Sequence, residues 1–235
     1  MRLVLSVICV LAFVSIGIAQ KYKISLKSGY GTYQLNDLRG LQNDFATQGA
    51  WMHIEKVQQL PGYLNYSVSV EYFVNPKNLI GINGAYYTTG GRNHISDYSG
   101  EYALNMPLNG YRLGVQYRNV FAGFNKINMY VSADGGMMLS VLSISETLTL
   151  YPDHSNTEAV DFTSISFTFD PSVGAWYPLA KKVSLDISLG YQVYLESTLF
   201  NVDNVESELT DFRGNPVRLN WSGLRLGIGI SYNLQ

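Results

Sequence analysis

The stretch YYTTGGRNHISDYSGEY, residues 86–102, gathers His94, Ser96, Asp97 and Glu101 into a short span. In an extended segment residues i and i+2 project from the same face. His94 and Ser96 would then stand side by side, with Asp97 or Glu101 available to orient the imidazole. A histidine base beside a serine hydroxyl is the arrangement of a nucleophilic hydrolase, so His94, Ser96 and Asp97 form the candidate catalytic set. The competing account is a tyrosine-rich exposed loop whose polar groups are satisfied by water or by one another, and it is the preferred one. His53 and His154 lie far apart in sequence without metal-ligand spacing, so neither a metal nor a cofactor is expected.

What these residues can do depends on the elements that carry them. The chain opens MRLVLSVICVLAFVSIGIAQ, with one basic residue, an apolar run, and Gly17 and Ala19 at small positions before Gln20. This is the form of a secretory signal peptide over residues 1–19, leaving residues 20–235 as one mature domain. Cys9, the single cysteine, leaves with it, which excludes disulfides and thiol chemistry from the mature chain. Loss of Arg2 from 16 basic residues against 18 acidic ones sets the mature net charge at −3. No clustered Lys/Arg footprint for nucleic acid is present. Charged residues make up only 14% of the chain, too few to clothe an ordinary soluble surface, while there are 18 tyrosines.

Eight segments alternate with a period of two: residues 22–30, 64–74, 79–89, 111–117, 127–144, 162–177, 183–196 and 221–234. In the seventh, Val183, Leu185, Ile187, Leu189, Tyr191, Val193 and Leu195 face one way, and Ser184, Asp186, Ser188, Gly190 and Gln192 the other. Connections after the second, fourth and sixth segments are short; those after the other four are long. The reading is an all-β, eight-stranded antiparallel up-and-down barrel. Its polar face is mostly Ser, Gly, Asn and Thr, which suits a narrow lumen, so the apolar face is turned outward toward lipid.

The outward tyrosines should form two interfacial girdles: Tyr66, Tyr86, Tyr111 and Tyr191 at one rim, with Tyr30, Tyr63 and Tyr87, and Tyr22, Tyr72, Tyr117, Tyr177 and Tyr232 at the other, with Trp176. Alternating strands pass the inner membrane where an apolar helix would be trapped. The destination is therefore a bacterial outer membrane, with long loops extracellular and both mature termini periplasmic.

With its signal peptide, eight segments, loop asymmetry and C-terminal strand over residues 224–235, the chain resembles the small outer-membrane β-barrel family of the OmpA and OmpX type over essentially all of its mature length. It departs from the family's usual aromatic ending, because Tyr232 is followed by Asn233, Leu234 and Gln235. The resemblance implies a monomer in contact with membrane lipid and lipopolysaccharide, inserted by the barrel-insertion machinery. It further implies a structural or surface-binding role for the loops, with an unidentified ligand and no catalysis. Outer-membrane lipid A deacylases are eight-stranded barrels that use an H-x-S pair with an acid. His94 and Ser96 match that pair, but in the second hairpin instead of a later strand, so lipid A modification is the alternative. A narrow pore is the third reading.

The lumen should hold a charge network of Lys23, Glu71, Arg112, Arg118, Asp134, Asp186 and Arg225, since charges removed from water need partners. Lys23 is expected to meet Glu71, with Asp134 between the levels of Arg112 and Arg118. In the first loop, Leu38, Leu41 and Phe45 recur at helical spacing behind Asn36, which predicts a short helix over the barrel mouth. The whole reading has a simple check. In detergent the mature chain should give a β-type circular dichroism spectrum and migrate faster on a gel unheated than boiled; a helical spectrum, or solubility without detergent, contradicts the barrel.

Overall fold

A computed structural model describes residues 22–48, 55–58, 60–98, 100–151 and 154–234. Residues 1–19, expected to be a signal peptide and containing Cys9, and His53 lie outside the described residues. Eight strands form the wall: β1 (Tyr22–Gly31), β2 (Tyr63–Asn75), β3 (Asn78–Ser96), β4 (Gly100–Phe124), β5 (Ile127–Leu150), β6 (His154–Pro178), β7 (Val183–Tyr194) and β8 (Gly223–Leu234). Each pairs antiparallel with its sequence neighbour, and β1 pairs with β8 from Tyr22 opposite Leu234 to Gly31 opposite Arg225. The sheet is closed, so the wall has no free edge.

The alternation of the sequence becomes the inside and outside of this wall. Leu26, Ile82, Leu113, Val115, Ile165, Phe167, Leu189, Leu226 and Ile228 all point outward and are exposed, Leu113 by 70%. Ser25, Ser69, Asn83, Gln116, Ser132, Ser164 and Ser231 point inward and are buried. A molecule that buries serine and exposes leucine reverses the usual soluble order; such an exterior is stable against hydrocarbon. Among the described residues no helix is long and apolar enough to cross a membrane, and the strands alone supply a crossing element.

At one end the connections are tight. Asn75 Oδ1 accepts the Lys77 and Asn78 backbone N–H groups at 2.9 Å, closing the β2–β3 turn. Asn125, in the turn after β4, has φ 54°, a left-handed conformation that Asn tolerates.

At the other end the chain is elaborate, and two expected loops are absent. The sequence reading ended its third segment at residue 89 and left residues 90–110 as an open loop. Instead β3 and β4 continue as a paired ribbon to Ser96 opposite Glu101, and β5 and β6 to Leu150 opposite His154. β4 and β6 each have 25 residues, against the roughly 9–11 that a tilted strand needs to cross a bilayer. The surplus projects as a sheet, and residues Glu55–Gln58 add a further strand beside Arg92 to His94. Gly90 and Gly91, just past the end of the predicted third segment, stay in the sheet opposite Pro107 and Met106. The missing side chain at Gly91 serves a close approach: a Cβ there would lie 2.8 Å from Gln42 Oε1.

Gln42 belongs to α1 (Asn36–Gln48), the helix of the first connection. Its Nε2 donates to Asn93 Oδ1 at 2.8 Å and Asn93 Nδ2 donates back to Gln42 O at 3.1 Å, tying the helix to the ribbon. Leu38 and Leu41 are buried from the opposite direction, on the core of the mouth. The last connection, residues 195–222, folds back over the same end: Phe200 and Asn201 pair with Thr163 and Phe162, and Arg218 N donates to Asp37 Oδ2 at 3.1 Å.

The face assignment has an energetic consequence. Leu189→Lys, in the middle of β7 and facing out, should lower stability in lipid vesicles by about 2–4 kcal/mol. Ser188→Asp, which places a carboxylate inside next to Lys27 Nζ, 3.4 Å from Ser188 Oγ, should cost less. Urea unfolding of both variants checks this, and equal losses contradict the orientation of the wall.

Candidate functional site

Two places hold polar groups that could act: the ribbon tip and the lumen. On the ribbon, His94 Nε2 lies 3.0 Å from Glu101 Oε1 on the paired strand, both side chains about one-third exposed. Asp97, the acid favoured in the candidate set, is used by the tip itself. Its Oδ1 accepts the Gly100 N–H at 3.2 Å and its own N–H donates to Gly100 O at 2.9 Å. Ser96 sits in register with Glu101, and among the described residues no hydrogen bond joins it to His94. At the tip His94 therefore pairs with Glu101 on the facing strand, and not with Asp97. Among the described residues no cluster of His, Cys and carboxylates is arranged to hold a metal ion.

The lumen is built in three layers. Nearest the short turns, Asp186, fully buried, collects Lys27 Nζ at 2.9 Å, Arg118 Nη1 at 3.2 Å, Lys23 Nζ at 3.9 Å and the Tyr130 hydroxyl at 2.6 Å. Arg118 Nε also lies 3.2 Å from Glu71 Oε1, which accepts from Gln116 Nε2 at 3.2 Å. Lys23 and Glu71 do stand opposite one another in register. Glu71 nevertheless turns to Arg118, because Lys23 sits 3.5 Å above the Trp176 ring and reaches Asp186. Trp176 and Tyr130 stack at 5.2 Å, and Arg118 lies 4.2 Å over Tyr130, so these cations are held by rings as well as by carboxylates.

Above this layer lies a polar cavity of ≈ 80 Å³ lined by Lys27, Asn65, Arg112, Asp134, Asp170 and Arg225 among others. Asp134 stands opposite Gln116 in register, between the levels of Arg112 and Arg118. Its Oδ1 accepts from Asn83 Nδ2, and Asn83 Oδ1 accepts from Arg112 Nη1 at 3.3 Å. Arg225 pairs with Asp170 and donates to Gln192 Oε1 at 2.9 Å.

The third layer closes the mouth with apolar bulk. Trp221 packs edge-on to Tyr63 at 5.3 Å and to Tyr33 at 5.8 Å, and Tyr63 meets Tyr87 at 5.2 Å. These are ordinary separations for attractive ring pairs. Trp221 Nε1 donates to Ser140 Oγ at 3.1 Å, while Met106, Leu108, Met138 and Leu142 from the wall, Leu35 just before α1, and Leu38 and Leu41 from α1 complete the plug.

Tyr63, Tyr87 and Trp176, placed in the girdles by sequence, are therefore inside. Parity along each strand carries that signal: Tyr63 shares its face with Asn65 and Ser69, and Trp176 is flanked by outward-facing residues. Glycines opposite make the room, since a Cβ at Gly31 would overlap the Tyr63 ring and one at Gly174 the Tyr130 ring. Lys27 and Asp170 were missed, although each continues the inward parity of its strand. Trp221, read as the start of the eighth segment, stands just before the last strand and turns into the mouth. The tyrosines of the outer rims lie outside the wall, with Tyr22 5.4 Å from Tyr72 and Tyr86 5.3 Å from Tyr111. The Tyr117 hydroxyl donates to Asn78 Oδ1 at 2.6 Å, and Tyr66, Tyr177, Tyr191 and Tyr232 are exposed.

No protein-family model and no curated protein matches the chain. Among solved structures it is similar to Neisserial surface protein A, with 11% identity, covering 90% of this chain and 96% of that one, at a TM-score of 0.47. It is also similar to a major outer membrane protein from Thermus thermophilus, with 14% identity over 90% and 98% of the two chains and a TM-score of 0.43. A third is Ail, the attachment invasion locus protein of Yersinia pestis, with 13% identity over 92% and 100% and a TM-score of 0.41. At such low likeness the functional reading is carried by the chain's own residues.

Asp186 is the group on which the lower layer depends. Asp186→Ala leaves Lys23, Lys27 and Arg118 with a single carboxylate and should lower stability by about 3–5 kcal/mol. Glu101→Gln on the ribbon should change it by less than about 0.5 kcal/mol. Denaturant midpoints in the same detergent measure both, and a harmless Asp186→Ala contradicts the hub.

Proposed function

We propose that the chain is a monomeric integral outer-membrane barrel that conducts nothing and works through the structured surface it holds outside the membrane. The observation that carries this reading is the filled lumen. An ion-pair layer lies at one end and a ring-and-leucine plug at the other, and the cavity between them measures only ≈ 80 Å³. A wall of eight strands has room for little more than its own side chains.

The end with the helix and the ribbons is assigned to the cell exterior, because barrels of this kind keep short turns on the periplasmic side and long connections outside. On that assignment both mature termini lie in the periplasm. Among its described residues the exterior end carries defined contacts. Asp211 accepts the Arg213 N–H at 2.9 Å and the Asn215 N–H at 2.7 Å. The Asn215 side-chain amide and these N–H groups hold its carboxyl below the usual range. Phe45 of α1 packs edge-on to Phe212 at 5.1 Å. Tyr98 at the ribbon tip is 96% exposed and Val205 in the last connection 73%, so rigid elements present apolar side chains outward, as recognition surfaces do.

Three measurements test the reading together. Purified protein should give no conductance steps in planar bilayers. Cells carrying His94→Ala with Ser96→Ala should show the same lipid A acyl pattern as cells carrying the unaltered chain. Replacing residues 92–101 by a two-residue turn should abolish the adherence that the intact chain confers on its host cell while preserving the heat-dependent gel shift. Regular conductance, or a lipid A change that needs His94 and Ser96, overturns the proposal.

A further inference from the structure

The three tight turns end alike. Pro76-Lys77 joins β2 to β3, Asn125-Lys126 joins β4 to β5, and Leu179-Ala180-Lys181-Lys182 joins β6 to β7, so in each a lysine stands directly before the next strand. No Asp or Glu occurs in residues 73–79, 120–129, 177–183 or 230–235, the stretches that meet at this end. In a chain with 18 acidic residues against 16 basic ones, the turns are purely cationic. The opposite end leans the other way: residues 195–222 hold Glu196, Asp203, Glu206, Glu208 and Asp211 against Arg213 and Arg218.

All four turn lysines are exposed, and among the described residues none is in an ion pair. Their neighbours fix their height in the membrane. Tyr72, Tyr117, Tyr177 and Tyr232 ring the wall just inside them, and apolar side chains stand exposed at the turns themselves, Val74, Phe121, Leu179 and Phe124, the last by 75%. Tyrosine belts mark the boundary between hydrocarbon and headgroups. A lysine beside that boundary lays its alkyl stem along apolar surface and carries its ammonium outward, to the depth of the phosphates. At that depth a net negative lipid surface attracts each lysine, and the attraction fades within a screening length.

We propose that the short-turn end is a binding surface for anionic phospholipids, whose headgroups are contacted by Lys77, Lys126, Lys181 and Lys182. The leaflet is the periplasmic one, which rests on the assignment of the long connections to the exterior. Zwitterionic lipids carry the same phosphate without net charge, so the preference comes from charge and is lost on screening. Contacts at three separate turns hold the base of the barrel at a fixed depth in that leaflet.

Electron spin resonance of labelled lipids supplies the test, because lipid held at a protein surface gives a separate, immobilised signal. The folded mature barrel is placed in phosphatidylcholine vesicles containing a trace of spin-labelled phosphatidylglycerol or spin-labelled phosphatidylcholine. The first should associate about fivefold more strongly, the effect of roughly one lysine at an anionic headgroup. The preference should disappear in about 1 M sodium chloride, where the screening length is about 3 Å. It should also disappear when Lys77, Lys126, Lys181 and Lys182 are all replaced by Gln, and persist in the double variant Arg92→Gln, Arg213→Gln at the other end. The heat-dependent gel shift reports whether each variant is folded; should the fourfold variant not fold, the salt response of the unaltered barrel decides. Equal association of the two lipids, or a preference that survives high salt or the fourfold replacement, would overturn the proposal. The orientation is read separately from Ala180→Cys in whole cells, with a maleimide on a polyethylene glycol too large to cross the outer membrane. Labelling only after permeabilisation is expected. Labelling of intact cells would overturn the orientation and the leaflet together, whereas expected labelling with no phosphatidylglycerol preference overturns the lipid surface alone.

Discussion

Every backbone N–H and C=O facing hydrocarbon must find its partner within the protein, because the lipid offers none. For a chain built of two-faced strands the only solution is a sheet closed on itself, and here closure is made by β1 pairing along its full length with β8. The remaining features of the wall are consequences. Closing eight strands fixes a narrow interior. A narrow interior forces small residues such as Ser and Gly along most of the inward face, and it forces every larger side chain there to find a seat. The glycines opposite Tyr63 and Tyr130 are such seats.

The same closure turns the electrostatics inward. Once the outer face is given to lipid, charges on the strands have nowhere to go except the lumen, where water is scarce. They are tolerated there because they share partners: Asp186 serves three cations and a phenol, and Trp176 and Tyr130 present ring faces to Lys23 and Arg118. Buried ion pairs of this kind need not add stability relative to an apolar filling. Their effect is to fill the bore with groups that fit only one register of the wall, since moving a strand by one residue would turn its charges into the lipid.

Outside the membrane the constraint is lifted and the chain is built differently. Strands β3 to β6 continue as a sheet that buries Leu104, Met106 and Leu108 on one side, and α1 is bound to it by the reciprocal Gln42–Asn93 pair. Leu38 and Leu41 of α1 and Leu199, Val217 and Leu219 of the last connection are buried in the mouth with Trp221 and Tyr63. One set of contacts therefore both shuts the bore and fixes the exterior surface. This couples the stability of the barrel to the shape it shows the outside.

The sequence by itself determined the wall. Period-two alternation, tyrosines near the segment ends and the short-long rhythm of the connections settle eight strands, their order and which face meets lipid, because these depend only on the parity of each residue within its own strand. The same parity points Lys23, Glu71, Arg112, Arg118, Asp134, Asp186 and Arg225 into the lumen. Which charge meets which was decided only in three dimensions. Lys23 and Glu71 are cross-strand neighbours, yet each finds a better partner across the bore, on strands far away in the chain. Residues 102–109 alternate as well, with Tyr102, Leu104, Met106 and Leu108 sharing one buried side, so that ribbon strand was legible in the sequence. Residues 90–101 carry no such pattern, and Trp221 turns into the mouth just before its strand begins. Periodicity reports a residue's own element, whereas the filling of a closed bore is settled by side chains arriving from all sides at once.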